Sequence, residues 1–253
     1  MVLALLPALV GAAVTVALAL AAIAARALTP LAGTVAAVFG IVIVVMVGFA
    51  FLALIILFVV GSVLATRYRI DEKRRRHVQE GVAGERGVSN VVAHIVIPTV
   101  LAVAAGVPSS LLPLPTVSLL FASALAFGAA DTFASEFGVL SGRAWSILTL
   151  KPVEPGVNGG ISGTGEAFAF LGAASTALVG LACFLAFRTP VGPFGSFLVV
   201  VVASGFVACQ VDSVLGGALE NRGYLSKGST NFLAMLSSVL IALGLAAALG
   251  VTL

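Results

Sequence analysis

The sequence predicts an all-α, polytopic integral membrane protein. Of its 253 residues, 60% are hydrophobic, the mean hydropathy is +1.21, and several apolar runs could cross a hydrocarbon core about 30 Å thick. A transmembrane β-barrel would instead show alternating segments of about ten residues, and the sequence has none. We therefore expect a single membrane-embedded domain over residues 1–253, surrounded by membrane lipids.

The predicted spans follow the apolar runs. The run 31–65 would form a helix of about 52 Å at 1.5 Å per residue, which is too long for one tilted span. Gly48 lies in its middle, so we divide it into two helices, 31–47 and 49–65. This gives about eight spans, with seven as the alternative. The runs are 2–25, 31–65, 90–106, 116–138, 166–187, 196–219 and 231–252.

The distribution of basic residues predicts the orientation. The loop 67–89 holds seven of the 13 Lys and Arg residues, which marks it as cytoplasmic by the positive-inside rule. With eight spans, the glycine-rich loop 139–165 lies on the same side and both termini lie outside. We therefore expect a multi-pass protein whose chemically active loops, and whose active site, face the cytoplasm. The run Lys73 to Arg76 is interpreted as a topology signal that contacts anionic lipid.

Two acidic residues lie within predicted helices, near their cytoplasmic ends. Asp131 is followed by Thr132, and Asp212 is followed by Ser213. Ionisable groups in a membrane are costly and usually functional. Gly205, Cys209, Asp212 and Gly216 share one stripe of small residues, which lets another helix approach closely. Asp212 is therefore expected to face protein.

Carboxylates from two helices suit Mg²⁺, which takes few protein ligands and completes its shell with water and substrate phosphates. Glu136 is a third candidate ligand, although it lies roughly 140° around the helix from Asp131. The predicted metal ligands are Asp131, Glu136 and Asp212. The alternative for the two aspartates is a buried or interfacial polar group without chemistry.

The glycine-rich loop is the predicted phosphate site. Consecutive glycines let backbone N–H groups surround an anion, and the N-terminus of the next helix attracts phosphate. Lys151 could reach a phosphate as a point charge, and we assign it a catalytic role with Asp131 and Asp212. The Walker A order is absent, and a flexible connector is the alternative. The loop's predicted phosphate-binding residues are Asn158, Gly159, Gly160, Ser162, Gly163 and Thr164.

Four further residues could complete an anion site. Arg86 and Asn90 open one predicted helix, where Arg86 could clamp a phosphate or only anchor the helix to headgroups. Lys227 and Asn231 follow Asp212 at the same membrane face. Alternatively, Lys227 and Asn231 are ordinary polar residues at the membrane interface.

Three segments resemble the transmembrane protein 19 family, which includes the phytyl-phosphate kinases of chlorophyll-containing organisms. They are 130–138 (ADTFASEFG), 151–162 (KPVEPGVNGGIS) and 212–216 (DSVLG). The resemblance implies transfer of a phosphoryl group from a nucleoside triphosphate to a polyprenyl monophosphate, such as phytyl or geranylgeranyl phosphate, to give the diphosphate.

A looser likeness covers Asp131, Lys151, Glu154 and the Gly159-Gly160 pair. It connects the chain with dolichol kinases and phosphatidate cytidylyltransferases and favours CTP as the donor. The alternatives are a CTP-dependent lipid cytidylyltransferase and an ion or solute transporter. We expect no nucleic-acid partner, and a homo-oligomer remains an open alternative.

Overall fold

The computed structural model is a bundle of eight long helices, and it describes residues 2–81, 84–107 and 112–251, with side chains from residue 6 onward. Within these residues, eight helices are long and apolar enough to cross a membrane, as predicted. They are α1 (Val2–Ala24), α2 (Pro30–Val47), α3 (Phe49–Arg67), α5 (Val88–Gly106), α6 (Leu114–Gly138), α7 (Gly163–Ala186), α8 (Phe194–Ala218) and α9 (Lys227–Ala248). The short helix α4 (Ile70–Arg75) lies between α3 and α5.

The break predicted at Gly48 is confirmed. Gly48 has φ +92° and is the single non-helical residue between α2 and α3. A residue with a side chain rarely adopts this backbone conformation, so glycine at this position permits the break between the two helices. Each half is about 27 to 29 Å long at 1.5 Å per residue, which matches one span.

Side-chain caps shift several helix starts from their predicted positions. Ser226 and Ser229 form a reciprocal capping box, so α9 begins at Lys227, four residues before its apolar run. Ser162 caps α7 by accepting a hydrogen bond from the Gly165 amide, and Thr29 caps α2 in the same way with Ala32. Hydropathy alone does not detect these caps.

The connections 25–29, 68–81 with 84–87, 139–162 and 219–226 meet at one end of the bundle, which we call the polar end. Leu28 pairs with Arg86 through their backbones, Lys73 pairs with Glu136, and Asn158 donates to Glu220. Twelve of the 13 Lys and Arg residues lie here, because Arg188 is the one at the opposite end.

The connection 139–162 contains a small antiparallel sheet that the sequence did not predict. Its strands are β1 (Ala144–Ser146), β2 (Pro152–Val153) and β3 (Gly160–Ile161), in the order β2-β1-β3. Gly159, at φ +76°, lies directly on α8: a Cβ there would be 2.7 Å from the Gly217 Cα. The glycine-rich loop is therefore docked on a helix by its own backbone, and it is not a simple connector.

Helix α6 is the centre of the bundle. In its most apolar 18-residue stretch, 83% is buried inside the bundle, compared with 11% of the corresponding stretch of α1. α7 and α8 both approach its backbone closely, since a Cβ at Gly172 would be 2.6 Å from the Ala129 oxygen and a Cβ at Gly205 would be 2.7 Å from the Ala126 Cβ. The small-residue stripe predicted on α8 therefore faces protein, as expected.

The close approach of Gly205 to α6 predicts what one added methyl group at this position would do. Gly205→Ala should destabilise the protein by about 1 to 3 kcal/mol, because α8 must move away from the α6 backbone. Gly195→Ala is the control on the same helix, since nothing lies within 4 Å of that Cβ position. Thermal unfolding in detergent measures both variants. An unchanged midpoint for Gly205→Ala would contradict the close approach.

Candidate functional site

A cavity of about 300 Å³ opens at the polar end of the bundle. It lies between the ends of α6 and α8, the starts of α7 and α9, the glycine-rich loop and the segment 77–80. Lys227 is its one lysine or arginine among the described lining residues. Six carboxylates line it: Glu80, Asp131, Glu136, Glu166, Asp212 and Glu220.

Four of these carboxylates have side-chain partners. Their pairs, with the distance between the bonded atoms, are Glu136 with Lys73 (2.6 Å), Glu166 with Gln210 (2.8 Å), Glu220 with Asn158 (2.9 Å) and Glu80 with Lys227 (3.6 Å). Within the described residues, Asp131 and Asp212 have neither an ion pair nor a hydrogen bond, and the Asp212 Oδ1 is buried without a partner. The two acids singled out from the sequence are therefore the two that the fold leaves unpaired.

The packing of α8 against α6 brings these two carboxylates to the same cavity. Asp131 lies five residues after Ala126 on α6, and Asp212 lies seven residues after Gly205 on α8. Because Gly205 contacts Ala126, the two helices are held together one to two turns before the acids. The two carboxylates are close enough to interact electrostatically. An unpaired buried carboxylate oxygen is costly, and a cation would relieve that cost.

A divalent cation fits this donor set when the substrate supplies further ligands. No group of three or more His, Cys, Asp or Glu side chains among the described residues is arranged to hold a metal ion. Mg²⁺ commonly uses one or two carboxylates and completes its shell with waters and substrate phosphates. Asp131 and Asp212 match that pattern, whereas a resident ion held by protein alone does not.

The expected three-carboxylate set is not formed, because Glu136 has another partner. Lys73, which is fully buried, donates to Glu136 and to the backbone oxygens of Ala65 and Thr66. Glu136 lines the cavity, but its Oε2 is engaged in this pair. The interpretation of Lys73 as a lipid-contacting topology signal is also corrected, since it ties α4 to α3 and α6.

The glycine-rich loop supplies part of the cavity wall. Asn158, Gly159, Gly160 and Ser162 line it, as expected from the sequence. However, the Gly160 amide donates to the Val157 oxygen, and the Ser162 hydroxyl is used to cap α7. The loop therefore contributes a closely approaching backbone, while part of its hydrogen-bonding capacity is already used.

The remaining predicted residues divide into two groups. Lys227 and Asn231 line the cavity, and Asn231 is buried. Lys151, Gly163 and Thr164 are exposed and do not belong to the described lining. Lys151 lies just outside the small sheet, where its backbone oxygen accepts from the Ser146 amide. The structure therefore does not bring Lys151 together with the two aspartates.

Arg86 is not among the described residues that line the cavity, but it contacts Thr132, the neighbour of Asp131. It is 7% exposed and donates to the Asn90 Oδ1 at 3.0 Å and to the Thr132 Oγ1 at 3.4 Å, while its Nε has no partner. Burial lowers the pKa of the Arg86 guanidinium, and the charges of Glu80, Glu136 and Asp131 raise it. A guanidinium stays protonated under such conditions, so a buried positive charge lies beside Asp131.

Sequence reasoning missed three of the acids that line the cavity. Glu166 is in the first turn of α7 and was recognisable as an acid at a helix start. Glu220 follows Asp212 by eight residues in the 3₁₀ turn Glu220–Arg222. Glu80 carries no local signal, because only tertiary contacts place the segment 77–80 at the cavity.

The fold and the site define an eight-span integral membrane protein with an acidic cavity at one end. The chain belongs to the family described as "Integral membrane protein DUF92", whose model matches residues 13–247.

Three curated proteins are similar to it. An uncharacterized membrane protein of Methanocaldococcus jannaschii is 28% identical over 78% of this chain and 76% of its own length. An uncharacterized membrane protein of Synechocystis is 32% identical over 81% of this chain and 77% of its own length. Protein PGR of Arabidopsis thaliana is 32% identical over 71% of this chain and 67% of its own length. No solved structure matches the chain significantly.

The Lys73–Glu136 pair predicts a stability effect. Glu136→Gln should destabilise the protein by about 3 to 5 kcal/mol, because it leaves a buried ammonium without its counter-ion. Replacing both partners, Lys73→Met with Glu136→Leu, should restore most of the loss. Chemical unfolding in detergent measures both.

The control for this experiment is Asp71→Asn, which removes an exposed pair with Arg74 on α4. That variant should unfold like the unmodified protein. If Glu136→Gln also did so, the pair would contribute little and Glu136 would be available as a cation ligand.

Proposed function

We propose that this protein is an integral-membrane kinase. It would transfer a phosphoryl group from a nucleoside triphosphate to an isoprenoid monophosphate, giving the diphosphate. The observation that carries the proposal is the meeting of two unpaired carboxylates, Asp131 and Asp212, in a cavity walled by a glycine-rich backbone. The sequence resemblance to the phytyl-phosphate kinases supports the same reaction.

The proposed orientation places the polar end in the cytoplasm, where nucleotides are available. It is supported by the concentration of basic residues at that end, 12 of 13, since short cytoplasmic loops carry an excess of Lys and Arg. In this orientation the donor enters from water and the acceptor from the membrane.

The reaction needs positioning and charge neutralisation more than it needs acid or base chemistry. An oxygen of the lipid phosphate bonds to the γ-phosphorus of the donor, the bond from that phosphorus to the bridging oxygen breaks, and the nucleoside diphosphate leaves. The attacking phosphate is already ionised at neutral pH, so no side chain has to remove a proton. Catalysis then comes from stabilising the charge on the transferred group.

The residues of the cavity can supply this stabilisation. Asp131 and Asp212 would hold Mg²⁺ together with the donor phosphates, and the bound ion would neutralise charge as the phosphoryl group moves. The backbone of Asn158 and Gly159 would approach the donor phosphates closely, and Lys227 would offer a positive charge in the cavity lining. Arg86, which donates to Thr132 beside Asp131, would bind the acceptor phosphate.

Neutralising either unpaired aspartate should abolish turnover and leave the fold intact. Asp131→Asn and Asp212→Asn should each lower kcat at least about 100-fold, because charge stabilisation is lost. Neither variant breaks a hydrogen bond, so neither should unfold more easily. The assay combines purified protein, Mg²⁺, geranylgeranyl phosphate and each of CTP, GTP, ATP and UTP, with products identified by mass spectrometry.

A second readout tests cation binding without turnover. Mg²⁺ with a non-hydrolysable nucleotide should raise the unfolding temperature of the unmodified protein and of the control Asp71→Asn, but not that of Asp212→Asn. Full activity of both aspartate variants would refute the site. A nucleotide-linked lipid with released pyrophosphate would identify a cytidylyltransferase instead. Absence of any product from folded protein would refute the kinase.

The two candidate lysines make a matched pair. Lys227→Ala should raise the KM for the nucleotide about tenfold or more, because it removes the lysine that lines the cavity. Lys151→Ala should leave the KM near that of the unmodified protein, because Lys151 is exposed outside the lining. Steady-state kinetics with varied nucleotide measures both. The opposite result would support the catalytic role that the sequence suggested for Lys151.

A further inference from the structure

A second cavity, of about 370 Å³, lies within the predicted membrane region between α1, α2, α3 and α5. Its lining is apolar over most of its extent. Along α3 it runs from Leu52 to Leu64, which is about 18 Å at 1.5 Å per residue. We call it the apolar groove.

The groove is open toward the lipid phase along part of its length. α1 packs on α2, and α3 lies across the groove from α1. The lining residues Leu18 on α1 and Val60 on α3 are exposed in the bundle, which places them at this opening. A hydrocarbon chain could therefore enter sideways from the bilayer.

The end of the groove that reaches the polar end is cationic. Arg86 is the one Lys, Arg, Asp or Glu among the described residues that line the groove. Its Nε is buried without a hydrogen-bond acceptor, although the rest of the guanidinium donates to Asn90 and Thr132. A buried donor without an acceptor is costly, and on a charged side chain an anion is the acceptor that satisfies it best.

Arg86 also joins the groove to the acidic cavity. Its side chain lines the groove, and its Nη2 donates to Thr132, the neighbour of Asp131, which lines the cavity. The groove and the cavity therefore adjoin at Arg86, Thr132 and Asp131, so a phosphate bound at Arg86 would lie next to Asp131.

We infer that the apolar groove binds the hydrocarbon chain of the acceptor lipid and that Arg86 binds its phosphate. The inference rests on the proposed function and assigns the acceptor's place and class. A fully extended chain advances about 1.2 Å per bond, so about 18 Å accommodates about fifteen chain atoms. The groove therefore fits one isoprenoid chain of about four units, with an anionic head at Arg86 and a tail toward Gly40.

A photo-crosslinking experiment without nucleotide tests the inference. Purified full-length protein in detergent is irradiated with geranylgeranyl monophosphate that carries a diazirine near the end of its chain, and the labelled peptides are identified by mass spectrometry. The label should fall on the far end of the groove, around Gly40 and Leu52. The corresponding alcohol should label at least about tenfold less, because it lacks the anion that Arg86 binds.

Ala36→Phe places an aromatic ring in the groove and should reduce labelling at least about tenfold. Val38→Phe is the matched control, because Val38 lies on the same helix, is 57% exposed and does not line the groove. Arg86→Lys keeps the charge but loses the planar set of donors, and it should weaken labelling by the phosphate to near the level of the alcohol.

The outcomes separate the inference from the proposed kinase. If labelling follows the groove but no lipid diphosphate forms, the groove assignment stands and the kinase fails. If Ala36→Phe and Val38→Phe label equally, or the alcohol labels as well as the phosphate, the inference is overturned. It is also overturned if excess phosphatidic acid, which has two chains, displaces the probe as well as unlabelled geranylgeranyl phosphate does.

Discussion

The close packing of α7 and α8 on the backbone of α6 is the constraint on which the rest of the structure depends. In a membrane, lipid chains are as apolar as leucine, so helices associate by fitting tightly and not by escaping from water. Glycines at 172 and 205 permit that fit, since a Cβ at either position would overlap with α6. The same contacts enclose the last turns of α6 and α8 in protein. Asp131 and Asp212 are therefore carried to a shared cavity instead of facing lipid.

The acidic side chains of the cavity fall into two groups: those that hold parts of the fold together, and those that have no protein partner and could bind a ligand. Glu136 holds the buried Lys73 and so fixes α4 against α3 and α6, while Glu220 and Asn158 hold the glycine-rich loop to the end of α8. These acids are used by the fold itself. Asp131 and Asp212 have no such use among the described residues. The Asp212 Oδ1 is buried without a partner, and a ligand can relieve the cost of that unpaired oxygen where the protein does not.

Hydropathy and charge predicted the spans and the two central acids because both signals are local. The length of an apolar run indicates a membrane-spanning helix, and an aspartate on a small-residue stripe indicates a contact with another helix. Lys73 shows where this reasoning stops: its neighbours in sequence indicate a solvated basic run, and only the fold reveals that one member of the run is fully buried. The start of α9 was misplaced by four residues because a serine capping box, and not hydropathy, begins the helix. The small sheet was missed because its strands are two or three residues long.

The charge of the cavity constrains what can enter it. Six carboxylates face one lysine among the described lining residues, and three of the carboxylates are balanced only by that lysine or by neutral amides. A free nucleoside triphosphate would meet a potential of its own sign, whereas its complex with a divalent cation brings the charge that Asp131 and Asp212 lack. Under the proposed function, the donor and its cation would therefore bind together. The acceptor phosphate needs no such companion, because Arg86 on the groove side already supplies a buried positive charge. Arg86 lines the groove and the carboxylates line the cavity, so the two anionic substrates would reach adjoining positions by different routes, one from the bilayer and one from water.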